Sequence, residues 1–372
     1  MGGERVNLLM LSAGLGLGGA ETVIRHLAQA IDPARFRVTI GCIKTLGVMG
    51  EQLQREGADI VRLTDPAKPG VDYFTALKLR RLIAERNIHL VHTHTTDGLA
   101  DAAVCRLVNR RVRVLHTFHF GNYPHTGARL LWMERVFSRL VDRLVAVGEV
   151  QRAQIRQVFG LSDRQLGMIW NGVPPAATVG DPGFRERIGA GNRLLIGTVA
   201  TLIEQKGLRD LIAVAARLRA HADRVCFVVT GDGHLRPELE RLRREQQLDH
   251  MVLLPGWVPN AVSVAVPEFD IFFQPSLWEA MSVAVLEAMA AGKPVVATRV
   301  GENPRILDHD VDGWLVDVGD VAGMADALER LIADPARRAA FGQAAAAKVA
   351  RQFTVERMAR TYEQLYLEMV GR

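Results

Sequence analysis

Short β-branched and leucine-rich runs alternate with stretches of helical period through the first 170 residues. Residues 6–11 are almost continuously apolar, which reads as a strand buried on both faces, and they run into a loop carrying Gly14, Gly16 and Gly19. Residues 21–30 follow with helical spacing and stop at Asp32-Pro33. Further strands are expected at 37–42, 58–62, 88–91, 112–116 and 144–147, with helices notably at 73–86 and 129–141. This rhythm predicts a parallel sheet covered by helices.

The pattern breaks at Asn171-Gly172-Val173-Pro174-Pro175, and Gly180-Asp181-Pro182-Gly183 continues the turn signals. A second series then begins, with strands expected at 194–199, 225–230, 251–254, 271–274 and 294–297 and helices at 207–220, 235–247 and 282–291. From Val321 onward the chain reads as helical. The expected organisation is an α/β chain of two doubly wound, Rossmann-like domains, residues 1–175 and 176–350, joined near residue 175. A helix at 351–372 is free to cross back to the first domain. Facing sheet edges would form a cleft, where such folds bind ligands.

Composition narrows the class. With 372 residues, 48% of them apolar and 23% charged, the chain is globular rather than disordered. Three widely spaced cysteines, Cys42, Cys105 and Cys226, exclude a disulfide framework and fit a reducing cytoplasm. The N-terminus lacks the look of a secretory signal, and no uncharged run approaches the ~20 residues of a spanning helix. A cytoplasmic protein is the expectation. Residues 1–172 hold 23 Lys and Arg against 15 Asp and Glu, while residues 173–372 hold 23 against 26. The first half is therefore suited to an anionic partner.

The glycine loop matches the form of a dinucleotide fingerprint, and backbone N–H groups opening a helix can approach a phosphate. A nicotinamide-dependent oxidoreductase would also need an acidic residue at the end of the second strand, where Cys42-Ile43-Lys44-Thr45 offers none. More informative is the stretch from Gln274 to Thr298, which carries Glu279 in a loop and Glu287 five residues past Ser282, a plausible helix cap. A carboxylate in an otherwise apolar helix needs a partner or a solvated cleft. Two glutamates so placed can address two parts of an elongated polar ligand, or simply lie on a solvated helix face.

This Glu-x7-Glu element resembles the signature of the retaining glycosyltransferases of family four, whose architecture is GT-B. Further segments resemble that family in the same order: Gly18-Gly19-Ala20-Glu21, His116-Thr117-Phe118-His119, Asn171-Gly172-Val173, Lys206-Gly207 and Gly231-Asp232-Gly233. The resemblance implies transfer of a sugar from a nucleotide-sugar donor to an acceptor hydroxyl with retention, in envelope or exopolysaccharide glycan or glycolipid assembly. It implies that Glu279 holds donor-sugar hydroxyls, Glu287 the nucleotide ribose and Lys206 the diphosphate. The N–H groups of Gly19, beside Gly18 in the first glycine loop of the donor-nucleotide site, and those of Ala280, Met281, Ser282 and Val283 would stand beside that diphosphate. Gly231 would let backbone come close to the nucleotide, and His119 would lie against the transferred sugar. The donor would be a UDP- or GDP-sugar, the acceptor a glycan or a lipid-linked molecule, and neither cofactor nor metal is expected. The second alternative is a non-catalytic sugar-nucleotide-binding protein of the same fold.

The chain also departs from the family pattern. Thr201 stands in the place of a usual arginine, Glu302 in that of a glycine, and Arg305 in that of a glutamate. Arg305 can return the missing positive charge toward the diphosphate. Ala280 and Ser282 replace common glycines. His92, His94, His116, His119 and His125 lack the partner spacing of a metal site, and Asp308-x-Asp310-x-Asp312 reads as a solvated turn. If residues 129–143 are one helix, Arg129, Arg135, Arg139 and Arg143 share a 120° arc beside an apolar stripe, with Trp132 among them. Such a face suits a weak interaction with an anionic membrane, or covers the sheet with a basic outer surface. With 6% aromatic residues and no recognised motif, nucleic acid is not an expected partner.

Overall fold

The computed structural model describes residues 5–64, 74–124, 127–176 and 180–371. It divides into two units, Met1–Gly172 with Val355–Arg372, and Val173–Thr354. The first unit runs β1 (Val6–Gly14), α1 (Gly19–Ala30), β2 (Phe36–Thr45), α2 (Gly47–Arg55), β3 (Ile60–Arg62), α3 (Thr75–Glu85), β4 (Leu90–Thr93), α4 (Thr96–Val108), β5 (Arg113–Phe118), α5 (Ala128–Phe137), β6 (Arg143–Ala146), α6 (Glu149–Phe159) and β7 (Leu166–Met168). The second runs α7 (Phe184–Arg187), β8 (Leu194–Val199), α8 (Leu208–Arg217), β9 (Val225–Thr230), α9 (Arg236–Glu245), β10 (Val252–Gly256), α10 (Ala261–Val264), β11 (Ile271–Gln274), α11 (Val283–Ala290), β12 (Val295–Thr298), α12 (Asn303–Ile306), β13 (Gly313–Val316), α13 (Val321–Ala333) and α14 (Pro335–Gln352). A last helix, α15 (Val355–Val370), belongs to the first unit.

Both sheets are parallel and doubly wound, ordered β3-β2-β1-β4-β5-β6-β7 and β10-β9-β8-β11-β12-β13. The apolar runs explain the centre of each. In β1, Leu8, Leu9, Met10 and Leu11 are fully buried because helices cover both faces, and β9 is buried along its whole length for the same reason. In α1, Val23, Ile24 and Leu27 repeat at three and four residues and form the stripe that meets the interior. Behind Val321 the chain is three helices rather than one, because Asp320 and Asp334 cap α13 and α14 by accepting from Gly323 N and Arg337 N.

The unit boundary falls at Gly172/Val173 and at Thr354/Val355, a few residues from the expected 175 and 350. The two crossings lie side by side. Val173 N donates to Phe353 O at 2.9 Å, while one residue earlier Gly172 N meets Met358 Sδ of α15. Helix α15 packs beside α1, and Tyr362 and Tyr366 reach the sheet through Thr117 and His92. Glu363 accepts from Asp32 N at 2.8 Å and pairs with Arg35.

One expectation fails here. Residues 129–143 are not a single helix: α5 stops at Phe137, a 3-10 turn covers Ser138–Leu140, and Arg143 opens β6. The guanidinium of Arg139 turns back to the carbonyls of Arg135 and Phe159. The four-arginine arc therefore does not exist, although Arg129, Arg135 and Trp132 remain exposed. The strand β7 and the final strand β13 were not expected; β7 is three residues long and only its first is buried, so it leaves little apolar signal.

Candidate active site

In each sheet the strand order reverses at one point, between β1 and β4 and between β8 and β11. Loops leaving the carboxyl ends of two such strands diverge and leave a crevice. In the second unit these loops are residues 200–207 after β8 and 275–282 after β11, and they hold Thr201, Lys206 and Glu279. They are tied together by Leu277 N donating to Gln205 O at 2.8 Å. Gly207 makes the contact possible: its φ is +59°, and a Cβ there would lie 1.9 Å from Pro275 O.

The consequence is a partly buried ion pair, with Glu279 buried and Lys206 half-buried. Lys206 Nζ donates to Glu279 Oε1 at 2.6 Å, Ser276 Oγ donates to the same oxygen at 2.9 Å, and Gln205 Nε2 reaches Oε2 at 3.2 Å. Ser276 is itself held by Thr298 Oγ1, which donates to Ser276 O at 2.6 Å. Glu279 is thus fixed from three sides, while a carboxylate offers about four acceptor positions. Gly231, with φ +149°, closes the loop from β9 onto the one from β8: a Cβ would stand 1.9 Å from Ala200 O.

Helix α11 begins where expected. Ser282 Oγ accepts from Val285 N at 3.3 Å and from Gln274 Nε2 at 2.7 Å, so this hydroxyl serves the cap. The N–H groups of Val283 and Ala284, in the first turn, have no acceptor within the helix. Ala280, Met281 and Val283 are buried around this turn. Glu287 is buried too, among Val285, Leu286, Ala288 and Met289, so the carboxylates do not form a solvated helix face.

Of the departures, Glu302 is 1% exposed at the start of α12, its N–H donating to Ala280 O at 3.0 Å. Arg305 is half exposed and lies 3.8 Å from that carboxylate, so its charge answers Glu302. The Asp308–Asp312 segment is a turn: Asp312 Oδ1 accepts from Asp308 N, Trp314 Nε1 donates to Asp310, and Lys348 pairs with Asp308 and Asp312.

In the first unit Gly18 caps α1, and a Cβ on it would fall 2.5 Å from Glu21 Oε2, whereas one on Gly19 would meet nothing within 4 Å. The first turn of α1 is therefore open at Gly19 but already carries a carboxylate, whose pKa burial raises. Lys44, at the end of β2, pairs with Asp97 at 2.5 Å, in the place where a dinucleotide site needs an acid. Beyond β4 and β5 the histidines gather: His94 Nδ1 is 3.0 Å from His119 Nε2, and the rings of His92 and His94 lie tilted by 40° with centroids 4.0 Å apart. Burial lowers the pKa of His116 to about 3 and of His119 to about 4, and drives those of His92 and His94 well below 6.5. All four are neutral imidazoles at pH 7. Among the described residues no three His, Cys, Asp or Glu side chains converge as metal ligands would, and His125 lies outside the described residues.

Two doubly wound parallel sheets, each with one switch point, and in the second unit a cation beside a buried acid next to the Ser282-capped turn of α11, are the arrangement of the GT-B class. Comparison with known proteins agrees. Residues 17–177 match the model for Glycosyltransferase Family 4 and residues 193–334 that for Glycosyl transferases group 1. The chain belongs to this glycosyltransferase family. It is 26% identical over 319 residues (80% of each chain) to an Escherichia coli UDP-Gal:alpha-D-GlcNAc-diphosphoundecaprenol alpha-1,3-galactosyltransferase. It is 28% identical over 302 residues (76% of this chain, 77% of the other) to a GDP-mannose-dependent alpha-(1-6)-phosphatidylinositol monomannoside mannosyltransferase of Mycobacterium tuberculosis. Anabaena HepE, solved with UDP and glucose, shares the fold with a TM-score of 0.87 at 20% identity, covering 98% of this chain and 100% of that one. Family membership, together with Lys44 at the end of β2, removes the nicotinamide-dependent oxidoreductase.

The sequence had not singled out Gln205, Ser276, Thr298 or His94 for the site. Ser276, three residues before Glu279, and Gln205, beside Lys206, were the local signals available; Thr298 and His94 are brought in only by strand pairing.

Proposed function

We propose that this glycosyltransferase moves a sugar from a UDP- or GDP-sugar to an acceptor hydroxyl with retention, in the assembly of an envelope or extracellular glycan or glycolipid. The observation that carries the proposal is the pair of half-buried Lys206 with buried Glu279, flanked by Gln205 and Ser276 and followed within α11 by buried Glu287. As the glycosidic bond breaks, the leaving diphosphate gains charge, which Lys206 and the first-turn N–H groups of α11 stabilise. Arg305, shared with Glu302, takes a smaller part. Glu279 spends its remaining acceptor capacity on sugar hydroxyls, Glu287 holds the ribose, Gly231 admits the nucleotide close to backbone, and His119 and Gly19 act on the sugar and diphosphate. No carboxylate is assigned as a nucleophile on the β face, so departure and attack take place on one face of the sugar, and the leaving phosphate collects the acceptor proton.

A thermal-shift panel with UDP, GDP and NADH, followed by turnover of the nucleotide sugars, tests this. Stabilisation by one nucleoside diphosphate and transfer from its sugar are expected; stabilisation without turnover would leave a binding protein. Glu287→Ala should weaken binding of that diphosphate by ~1.5–3 kcal/mol, since ribose hydroxyls would lose their acceptor. Unchanged affinity in a folded variant would take Glu287 out of the site.

The acceptor is lipid-linked on this proposal. The names of the two relatives include a diphosphoundecaprenol and a phosphatidylinositol mannoside. No helix among the described residues is long and apolar enough to cross a membrane. Helix α4 packs against both α3 and α5, and the three helices and the turn after α4 expose Leu77, Val104, Leu107, Val108 and Trp132 as well as Arg110, Arg111, Arg129 and Arg135. Exposed apolar and arginine side chains on neighbouring helices suit a loose hold on anionic lipid, each arginine contributing ~1 kcal/mol. In vesicle flotation, capture by anionic but not neutral vesicles is expected, lost in high salt and in a variant with those four arginines changed to Gln. No capture at low salt would favour a water-soluble acceptor.

A further inference from the structure

The histidines beyond β4 and β5 are not equivalent. His92 is engaged at both nitrogens, with Tyr366 OH at 2.7 Å and Thr117 Oγ1 at 2.8 Å. His116 Nδ1 meets Thr93 Oγ1 at 2.8 Å. His94 and His119 share one hydrogen bond, between Nδ1 of the first and Nε2 of the second, and their rings are stacked at 5.3 Å. The backbone of His94 is fixed by its own N–H donating to Leu11 O at 2.9 Å. His94 is 3% exposed and its Nε2 has no partner, while His119 is only half-buried.

Two neutral imidazoles carry two protons. One lies in the shared bond, and the other must sit at one end of the pair. If His119 donated, the second proton would rest on His94 Nε2, an N–H group sealed in the interior with nothing to receive it. If His94 donates, the interior holds only an unused lone pair, and the second proton sits on Nδ1 of the more accessible ring. A buried unsatisfied donor is the rarer and costlier state.

We propose that His94 is a positioning residue that keeps the proton of His119 on Nδ1, so that His119 meets its substrate as a hydrogen-bond donor and not as a base. The donor's target, an oxygen of the sugar or the diphosphate, rests on the glycosyltransferase reading; the location of the proton does not. His92 and His116 from the adjoining strands face the pair, and behind His92 stand Tyr362 and Tyr366 of α15. Burial lowers the pKa values of these imidazoles and raises those of both phenols, so the whole cluster is uncharged at pH 7.

Long-range imidazole ¹⁵N–¹H spectra of the full-length protein labelled at histidine, assigned with His94→Asn and His119→Asn, read the protons directly. Protonated Nδ1 and bare Nε2 on His119, with protonated Nδ1 on His94, are expected; the reverse pattern overturns the proposal. In sugar transfer, His94→Asn, which keeps an N–H donor where Nδ1 stood, should stay within ~3-fold of the parent. His94→Leu should lose ~10–100-fold in kcat/KM with nucleoside diphosphate affinity unchanged, as His119 moves its proton to Nε2. Parental turnover of His94→Leu with an unaltered His119 also overturns it. If no nucleotide sugar turns over, the glycosyltransferase reading fails, and the spectra still decide where the proton is; they decide it too if the Leu variant does not fold.

Discussion

Lys206→Ala is expected to cut kcat/KM by ~100-fold or more and to weaken binding of the free nucleoside diphosphate, because it removes the cation nearest the proposed leaving group. It acts a second time on the empty protein. Glu279 is buried and takes its shortest bond from Lys206, so the variant leaves an acid with only Ser276 and Gln205 as donors. Breaking a buried pair on one side costs about 3–5 kcal/mol, and partial exposure of Lys206 places this pair at or below the lower end. Glu279→Gln should behave in the opposite way toward the nucleotide. It frees the ammonium group, so affinity for the bare diphosphate holds or rises while sugar transfer falls. Arg305→Ala should stay within a few-fold, since that guanidinium already answers Glu302. Calorimetric titration with UDP and GDP and initial rates separate these effects; unchanged diphosphate affinity in Lys206→Ala would move the leaving group elsewhere.

The second large effect is with acid. His26, His92, His94, His116 and His119 all lie in the first unit with depressed pKa values, about 4 for His26 and His119 and about 3 for His116. Above pH 6.5 neither the folded nor the unfolded chain protonates them, and the stability they permit is fully present. Below 6.5 the unfolded chain takes up protons that the folded one refuses, so stability falls as pH falls, by up to about 1.4 kcal/mol per pH unit for each histidine. Each adds to the loss in the same direction, drawing on the 5–15 kcal/mol typical of a domain. In the second unit His221, His234, His250 and His309 lie at or near the surface. Scanning calorimetry from pH 7.5 to 4.5 should show the first unit melting progressively earlier than the second. A first-unit transition that does not move between pH 6.5 and 4.5 would contradict this.

The alternation of apolar runs made both sheets legible, because the central strands are buried on both faces and carry unbroken Val, Ile and Leu. Amphipathic α1 and α8 were equally plain. Helix α4 left a poor signal, since it exposes Val104, Leu107 and Val108 opposite a buried face of Leu99, Ala102 and Ala103 and so looks apolar all round. The arginine arc failed for a related reason: periodicity cannot see that Phe137 ends a helix when Arg139 is recruited by the carbonyl of Phe159. In the site, residue types and order were readable but pairings were not. Lys206 and Glu279 are 73 positions apart, and only the adjacency of β8 and β11 makes them partners.

The return of α15 to the first unit also sets the order in which the chain can mature during synthesis. The second unit is one continuous segment, whereas the first lacks a helix until residues 173–354 have been made, about 10–40 s at ~5–20 residues per second. Through that interval His92 and Thr117 wait without Tyr366 and Tyr362, and Phe36 and α1 lack the apolar side of α15. The earlier-made half is therefore the later one to be completed, and it is the half that should engage chaperones on the ribosome.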